Sequence, residues 1–244
     1  MKIYFTLALQ LVSFGLLAQT IVSKSVPVKE GQNISMKFDY PELVRVSTWD
    51  RGEISIQAKV DINNGENDDA FELTVNSTGN NIIIENKIRD LKNLPQMITV
   101  MNGAEKILFK TKEEYRKFKA ENNGSFDRVS WGVDINVTIE IKVPKSIATD
   151  IKSVYGMVEV VDFYGPLSVV AQYGGVDVAL NEKEVGELSA ETNYGQIYSN
   201  LDTKFTGNNL QEKDFYTFVS ARPGSGPRYD FESKYGNVYL RKVN

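Results

Sequence analysis

Four stretches, Tyr155-Gly156-Met157-Val158-Glu159-Val160, Tyr173-Gly174-Gly175-Val176-Asp177-Val178, Tyr194-Gly195-Gln196-Ile197-Tyr198-Ser199 and Tyr235-Gly236-Asn237-Val238-Tyr239-Leu240, are versions of one pattern. Each puts an apolar residue two places after the glycine and a polar or aromatic residue next to it, a period-two alternation that belongs to strands with one buried face. Six residues before each of the last three tyrosines a second apolar pair begins, at Leu167 and Val169, Leu188 and Ala190, and Tyr229 and Phe231. Each unit therefore reads as strand, turn, strand. Such a register repeats only if units stack on one another. A further Tyr164-Gly165 falls between the first two units and is counted with the repeat.

Working outward, the chain before the repeat shows the same alternation. Ile54, Ile56, Ala58 and Val60 form one apolar column, and Val133 to Val143 another that Pro144 closes. Shorter versions occur at Ile34-Met36-Phe38, Phe71-Leu73-Val75 and Ile82-Ile84. One interruption is helical: Thr111 and Glu114 have capping-box spacing, Tyr115 and Phe118 share a face, and Gly124 lies beyond. Two aromatics make a narrow stripe, which reads as a helix over 111–121 docked on the sheets rather than one that binds a partner. After the third unit, residues 201–228 interrupt the spacing, as an extra coil or a hairpin excursion would, with a turn at Arg222-Pro223-Gly224-Ser225-Gly226-Pro227-Arg228. The expected fold is all-β: repeated hairpins in a β-solenoid-like or twisted two-sheet stack, with one short helix.

At the other end, residues 1–18 carry one Lys and then an apolar run ending at Ala18, the form of a cleaved secretory signal peptide. The run contains Gln10 and Ser13 and has no basic stop behind it, so a membrane anchor is disfavoured. The expected organisation is a signal peptide over 1–18, a β region with the helix over 19–145 and the repeat region over 146–244, with 19–244 one continuous domain. Cleavage removes one Lys from a chain whose formal net charge is already −4. An acidic chain with dispersed basic residues has no electrostatic footprint for nucleic acid. A periplasmic, secreted or cell-surface location follows, without an integral membrane anchor.

Of 244 residues none is Cys and none is His. That composition excludes disulfides, thiol nucleophiles, acylated lipoprotein anchoring and the commonest general base and metal ligand. An enzyme would need a carboxylate pair or a Ser-Lys arrangement, but Glu159, Asp177 and Glu187 fall in no spacing that pairs them, and Gly224-Ser225-Gly226 lacks the setting of a nucleophile elbow. The chain reads as non-catalytic, with no cofactor. Asp61, Asn63, Glu66, Asp68 and Asp69 make an oxygen-rich loop like a calcium site, yet the fifth position is Gly65 and the spacing is broken, so a solvated turn is the better reading.

The Tyr-Gly tyrosines suit either an internal ladder, each ring on the next, or a surface for sugars or a protein partner; the constant register favours the ladder. Glu159, Asp177, Tyr198 and Tyr239 occupy the outward column and are the surface positions expected to bind.

Three stretches carry a resemblance: Phe38-Asp39-Tyr40-Pro41-Glu42-Leu43-Val44-Arg45-Val46-Ser47-Thr48-Trp49-Asp50, Asn64-Gly65-Glu66-Asn67-Asp68-Asp69-Ala70-Phe71 and Ser233-Lys234-Tyr235-Gly236-Asn237-Val238-Tyr239-Leu240-Arg241-Lys242. With the leader, the chain resembles the bacterial putative-adhesin, β-strand-repeat proteins of unknown function. The resemblance implies an envelope location, a solenoid-like β-sandwich and no catalytic residues. Together these readings point to an adhesin-like envelope protein, a structural or regulatory partner of another envelope protein. The alternative is a glycan-binding or degenerate polysaccharide-active module that takes a surface glycan.

Overall fold

A computed structural model describes residues 19–122, 126–206 and 210–243; the leader over 1–18 and Gly124 lie outside the described residues. The first strands are β1 (Thr20–Pro27), β2 (Asn33–Phe38), β3 (Leu43–Trp49), β4 (Glu53–Ile62), β5 (Phe71–Thr78) and β6 (Asn81–Ile88). An insert follows, made of β7 (Met97–Asn102), β8 (Glu105–Phe109), α1 (Lys112–Glu121) and β9 (Arg128–Gly132). Then come β10 (Ile135–Pro144), β11 (Thr149–Ser153), β12 (Met157–Val160), β13 (Leu167–Ala171), β14 (Val176–Leu180), β15 (Glu187–Thr192) and β16 (Ile197–Ser199). The chain ends with β17 (Leu210–Lys213), β18 (Tyr216–Ala221), β19 (Arg228–Ser233) and β20 (Val238–Lys242).

These strands form two large sheets, ordered β1-β4-β10-β3-β12-β14-β20-β16 and β17-β18-β15-β19-β13-β11-β2-β6-β5. The all-β, two-sheet architecture is as expected, with α1 the one α-helix among the described residues. The hairpin expectation is corrected. The two strands flanking each Tyr-Gly turn lie in opposite sheets, and each pairs in parallel with its counterparts in neighbouring units. Each unit is thus an arch that turns a corner between sheets. Five arches stack, because β2 and β3 supply one more ahead of the Tyr-Gly units.

Among the arches, spatial order departs from chain order in one place. The last arch, β19–β20, sits between β13–β14 and β15–β16. Its bulk explains the position: Tyr229 lies between Leu167 and Leu188, and Phe231 between Val169 and the small Ala190. Large side chains flanked by smaller ones fill the space between sheets at interior density. The excursion over 201–228 is a hairpin, β17–β18, which extends the second sheet antiparallel to β15.

Alternation places Ile34, Met36, Phe38, Val44, Val46, Ile56, Ile139, Ile151, Val158, Val176 and Val238 in one continuous core that runs through both halves of the chain. At about 25 cal/mol per Å2 of apolar surface, burial of these columns is the main force that holds the sheets face to face. The insert is separate. Its sheet runs β8-β7-β9, and its buried Met97, Ile98 and Val100 are not part of the main cluster. Helix α1 has the expected capping box, with both Thr111 and Glu114 bonds made, and it docks as expected: Tyr115 and Phe118 pack on Phe109 at ring-centroid distances of 6.0 and 5.1 Å.

Candidate functional site

The four outward residues singled out in the sequence come together. Across the first sheet, Arg45, Glu159, Asp177, Tyr239 and Tyr198 are directly opposite one another on five adjacent strands, β3, β12, β14, β20 and β16. Parallel pairing without slippage makes the row, since one residue of shift would turn every member inward. Arg45 donates from Nε and Nη2 to Glu159 Oε2 at 2.9 and 2.8 Å. Arg241, two residues beyond Tyr239, grips Asp177 with Nε and Nη2 on separate carboxylate oxygens, the first at 2.6 Å. This fork raises the Arg241 pKa, first by hydrogen bonding and then by charge. The guanidinium also lies 5.6 Å over the Tyr239 ring, and Tyr239 stacks on Tyr198 at 5.3 Å. Both arginines escaped the sequence reading, although Arg241 shares the alternation of Tyr239. The row therefore offers paired charges and two rings on a rigid sheet, a surface suited to recognition.

Beside this row runs the corner of the arches. Tyr40, Tyr155, Tyr173, Tyr235, Tyr194 and Phe215 form one column of stacked rings, with successive centroids 5.4, 5.2, 5.1, 5.1 and 5.5 Å apart. Four Tyr-Gly tyrosines form the interior of this ladder. Its ends, Tyr40 and Phe215, carry no Tyr-Gly signature and were missed. Tyr164 is not a member: it lies in the connection from β12 to β13 with the Lys145 ammonium 5.4 Å over its ring.

The glycines are needed for closeness more than for unusual dihedrals. Gly156 has φ +78°, but an ideal Cβ on Gly174 would stand 1.6 Å from Gly156 O, and on Gly195 1.9 Å from Gly236 O. Each corner rests on the backbone of its neighbour. A buried hydroxyl two residues before the tyrosine ties two of these corners: Ser233 Oγ donates to Gly174 O at 2.8 Å, and Thr192 Oγ1 to Gly236 O at 2.9 Å. That Ser or Thr recurs at 153, 192 and 233, a sequence cue not used above.

Where the ladder ends, Tyr194, Ile197, Tyr198 and Phe215 line an open groove of about 570 Å3 with Glu212 and Asp214 on its rim. Ladder and row thus meet at one end of the stack. A second groove, of about 450 Å3 on the outer face of the second sheet, holds Glu187 paired with Arg222 and Asp230 paired with Arg228. Burial pulls the Asp230 pKa upward, but hydrogen bonds from Arg228 and Ser189 outweigh it and leave the pKa lowered. Burial pushes Tyr229 up to about 12, its hydroxyl donating to Phe163 O at 2.7 Å.

The oxygen-rich loop spends its side chains on itself and its neighbours. Asp68 Oδ1 accepts from Ile62 N, and Asn63 donates to Asn67 Oδ1 and Pro95 O while accepting from Asp134 N. Glu66 pairs with Lys110 and Asp69 with Arg89; Asp61 Oδ1 is buried without a hydrogen bond. Among the described residues no three acidic groups converge to hold a metal, and no helix is long and apolar enough to cross a membrane.

No protein-family model matches the chain, and no curated protein sequence matches it. The solved structures similar to it include these two. A putative cell adhesion protein from Clostridium sporogenes is 11% identical, with 93% of this chain and 100% of that chain covered, at a TM-score of 0.48. A putative adhesin from Bacteroides fragilis is 10% identical, with 93% and 99% covered, at a TM-score of 0.22. Similarity at that level leaves function to be reasoned from the chain's own surfaces.

Proposed function

We propose that this chain is a non-catalytic, adhesin-like recognition protein of the cell envelope, exported by cleavage after Ala18 and acting as one domain over 19–244. Membership of the putative-adhesin β-repeat proteins is part of the proposal. The observation that carries it is the row Glu159, Asp177, Tyr239 and Tyr198, held at fixed spacing on four parallel strands, with the Tyr198 ring exposed and the Tyr239 ring half-buried beside paired charges. Rigid aromatic rings and arginine forks are favoured in recognition surfaces because little conformational freedom is lost on contact. The carboxylates of the row are each bound by an arginine, which suits them to complementarity rather than proton transfer.

The test is capture on native envelopes by cross-linking through the mature, tagged protein. Wild type should recover one reproducible partner, and a variant carrying Glu159→Ala, Asp177→Ala, Tyr198→Ala and Tyr239→Ala should lose it while keeping the wild-type circular dichroism spectrum. Equal recovery by the folded variant would remove this face from the function.

A further inference from the structure

In the ladder the ring faces are consumed by neighbouring rings, so the column turns its edges and phenol oxygens to solvent. Tyr155, Tyr173, Tyr194 and Tyr235 are 43, 50, 59 and 46% exposed. Among the described residues their hydroxyls and that of Tyr40 have no hydrogen-bond partner, whereas those of Tyr216 and Tyr229 donate to Glu191 and to Phe163 O. Five unengaged hydroxyls, each able to donate and accept, therefore stand along one edge on rings whose centroids repeat at 5.1 to 5.4 Å.

Repeat distance selects among polymers. An extended peptide presents same-side groups about every 6.8 Å and loses step with the ladder within a few rungs. Nucleic acid is disfavoured by the acidic net charge of −4. An extended β-1,4-linked polysaccharide advances per hexose by nearly the distance between stacked strands, and its flat ribbon offers hydroxyls at its edge on every sugar. We propose that the exposed edge of the ladder is a binding track for an extended β-1,4-linked glycan, one sugar per tyrosine from Tyr40 to Tyr194.

This assignment rests on the recognition reading and names one ligand class for it. Phe215 stacks on Tyr194 but has no hydroxyl, which ends the track at five sugars. Successive tyrosine ring planes are inclined to one another by 8 to 19°.

The experiment is calorimetric titration of the mature chain with β-1,4-linked N-acetylglucosamine and glucose oligomers of two to six units, with maltohexaose as the α-linked control. Affinity for at least one β-linked series should rise with each sugar up to five and then level off, and maltohexaose should not bind. The variant Tyr155→Phe, Tyr173→Phe, Tyr235→Phe keeps the stacked rings but removes three hydroxyls, and should bind the pentamer at least about tenfold more weakly, given the usual worth of a hydrogen bond. Absence of binding by both β-linked series, affinity independent of length, or equal binding by the triple variant would each overturn the track. The row variant described above should titrate like wild type. Loss of the track with partner capture intact would remove this inference alone, and loss of row-dependent capture with the titration intact would remove the row.

Discussion

The stack and the insert use aromatic residues in opposite ways. In the stack the core is mostly aliphatic and the ladder tyrosines stand outside, each ring on an equivalent ring one strand away. In the insert the aromatics are the packing itself, with Phe118 held between Phe109 and Phe126 at 5.1 and 5.5 Å. Translation explains the contrast. Where units repeat by one strand spacing, any residue that stacks well on itself is stabilised once per unit. Where nothing repeats, each contact has to be made by a different pair.

The sharpest break between the regions should come from glycine. Gly174→Ala places a methyl group inside the van der Waals radius of Gly156 O, and we expect loss of about 4 kcal/mol or more, or failure to fold. Gly103→Ala, in the β7–β8 turn at φ +60° with nothing within 4 Å, should cost only about 1 kcal/mol. Urea midpoints compare the two directly, and equal costs would mean that the corners do not rest on one another.

Next in size is the fate of packed rings, Phe231 buried in the stack and Phe118 half-buried in the insert. Phe231→Ala opens the main core and should cost about 3–5 kcal/mol across the whole unfolding transition. Phe118→Ala should cost about 1–2 kcal/mol and act locally, speeding hydrogen exchange at Ile98 and Val100 while leaving Val158 and Val176 protected. Uniform loss of protection would show that the insert and the stack unfold as one.

Smaller again is the ladder itself. Tyr173→Ala removes two stacking contacts and should lower stability by about 1–2 kcal/mol, whereas Tyr173→Phe keeps the rings and should stay within about 0.5 kcal/mol of wild type. A costly Tyr173→Phe would mean that the hydroxyl supports the fold.

The smallest effect at neutral pH concerns two tyrosines of the stack. Burial raises Tyr229 in the stack to about 12, and burial followed by the Glu191 hydrogen bond does the same for Tyr216. A tyrosine whose folded pKa is above its unfolded value near 10 keeps its full contribution below pH 10 and loses it as pH rises toward 12. Alkaline titration of stability should therefore fall in that window, and the fall should be shallower in Tyr229→Phe.

Much of this was legible because it is local or periodic. The alternation over 54–60 lies inside β4, that over 133–143 overlaps β10, and the Thr111–Glu114 spacing marks α1. The ladder was readable because four of its six members share Tyr-Gly. Tyr40 enters it from an arch whose corner is Pro41, and Phe215 from a hairpin tip, so neither carries the repeat's mark. Glu159 and Asp177 were placed on the right face, but their engagement by Arg45 and Arg241 depends on which strands become neighbours, and pairing across 114 and 64 residues leaves no local trace. Tyr164 shows the converse: a dipeptide identical to the others, set in a connection that does not stack.

The interleaved last arch has a consequence for how the protein comes into being. A chain made from its N-terminus exposes Glu187–Ser199 before Arg228–Lys242, yet β15 and β16 find their parallel neighbours only in β19 and β20. Until residues 228–242 have left the ribosome, or the export channel, the edge of β13–β14 stays unpaired, and β15–β16, with only the β17–β18 hairpin beside β15, cannot join the stack. Biogenesis is thereby gated by residues 228–242: a product cut short between residues 200 and 227 keeps the tyrosines of the early arches but loses the arch that joins the fifth to the rest, and quality-control proteases meet it with open sheet edges at β13 and β14.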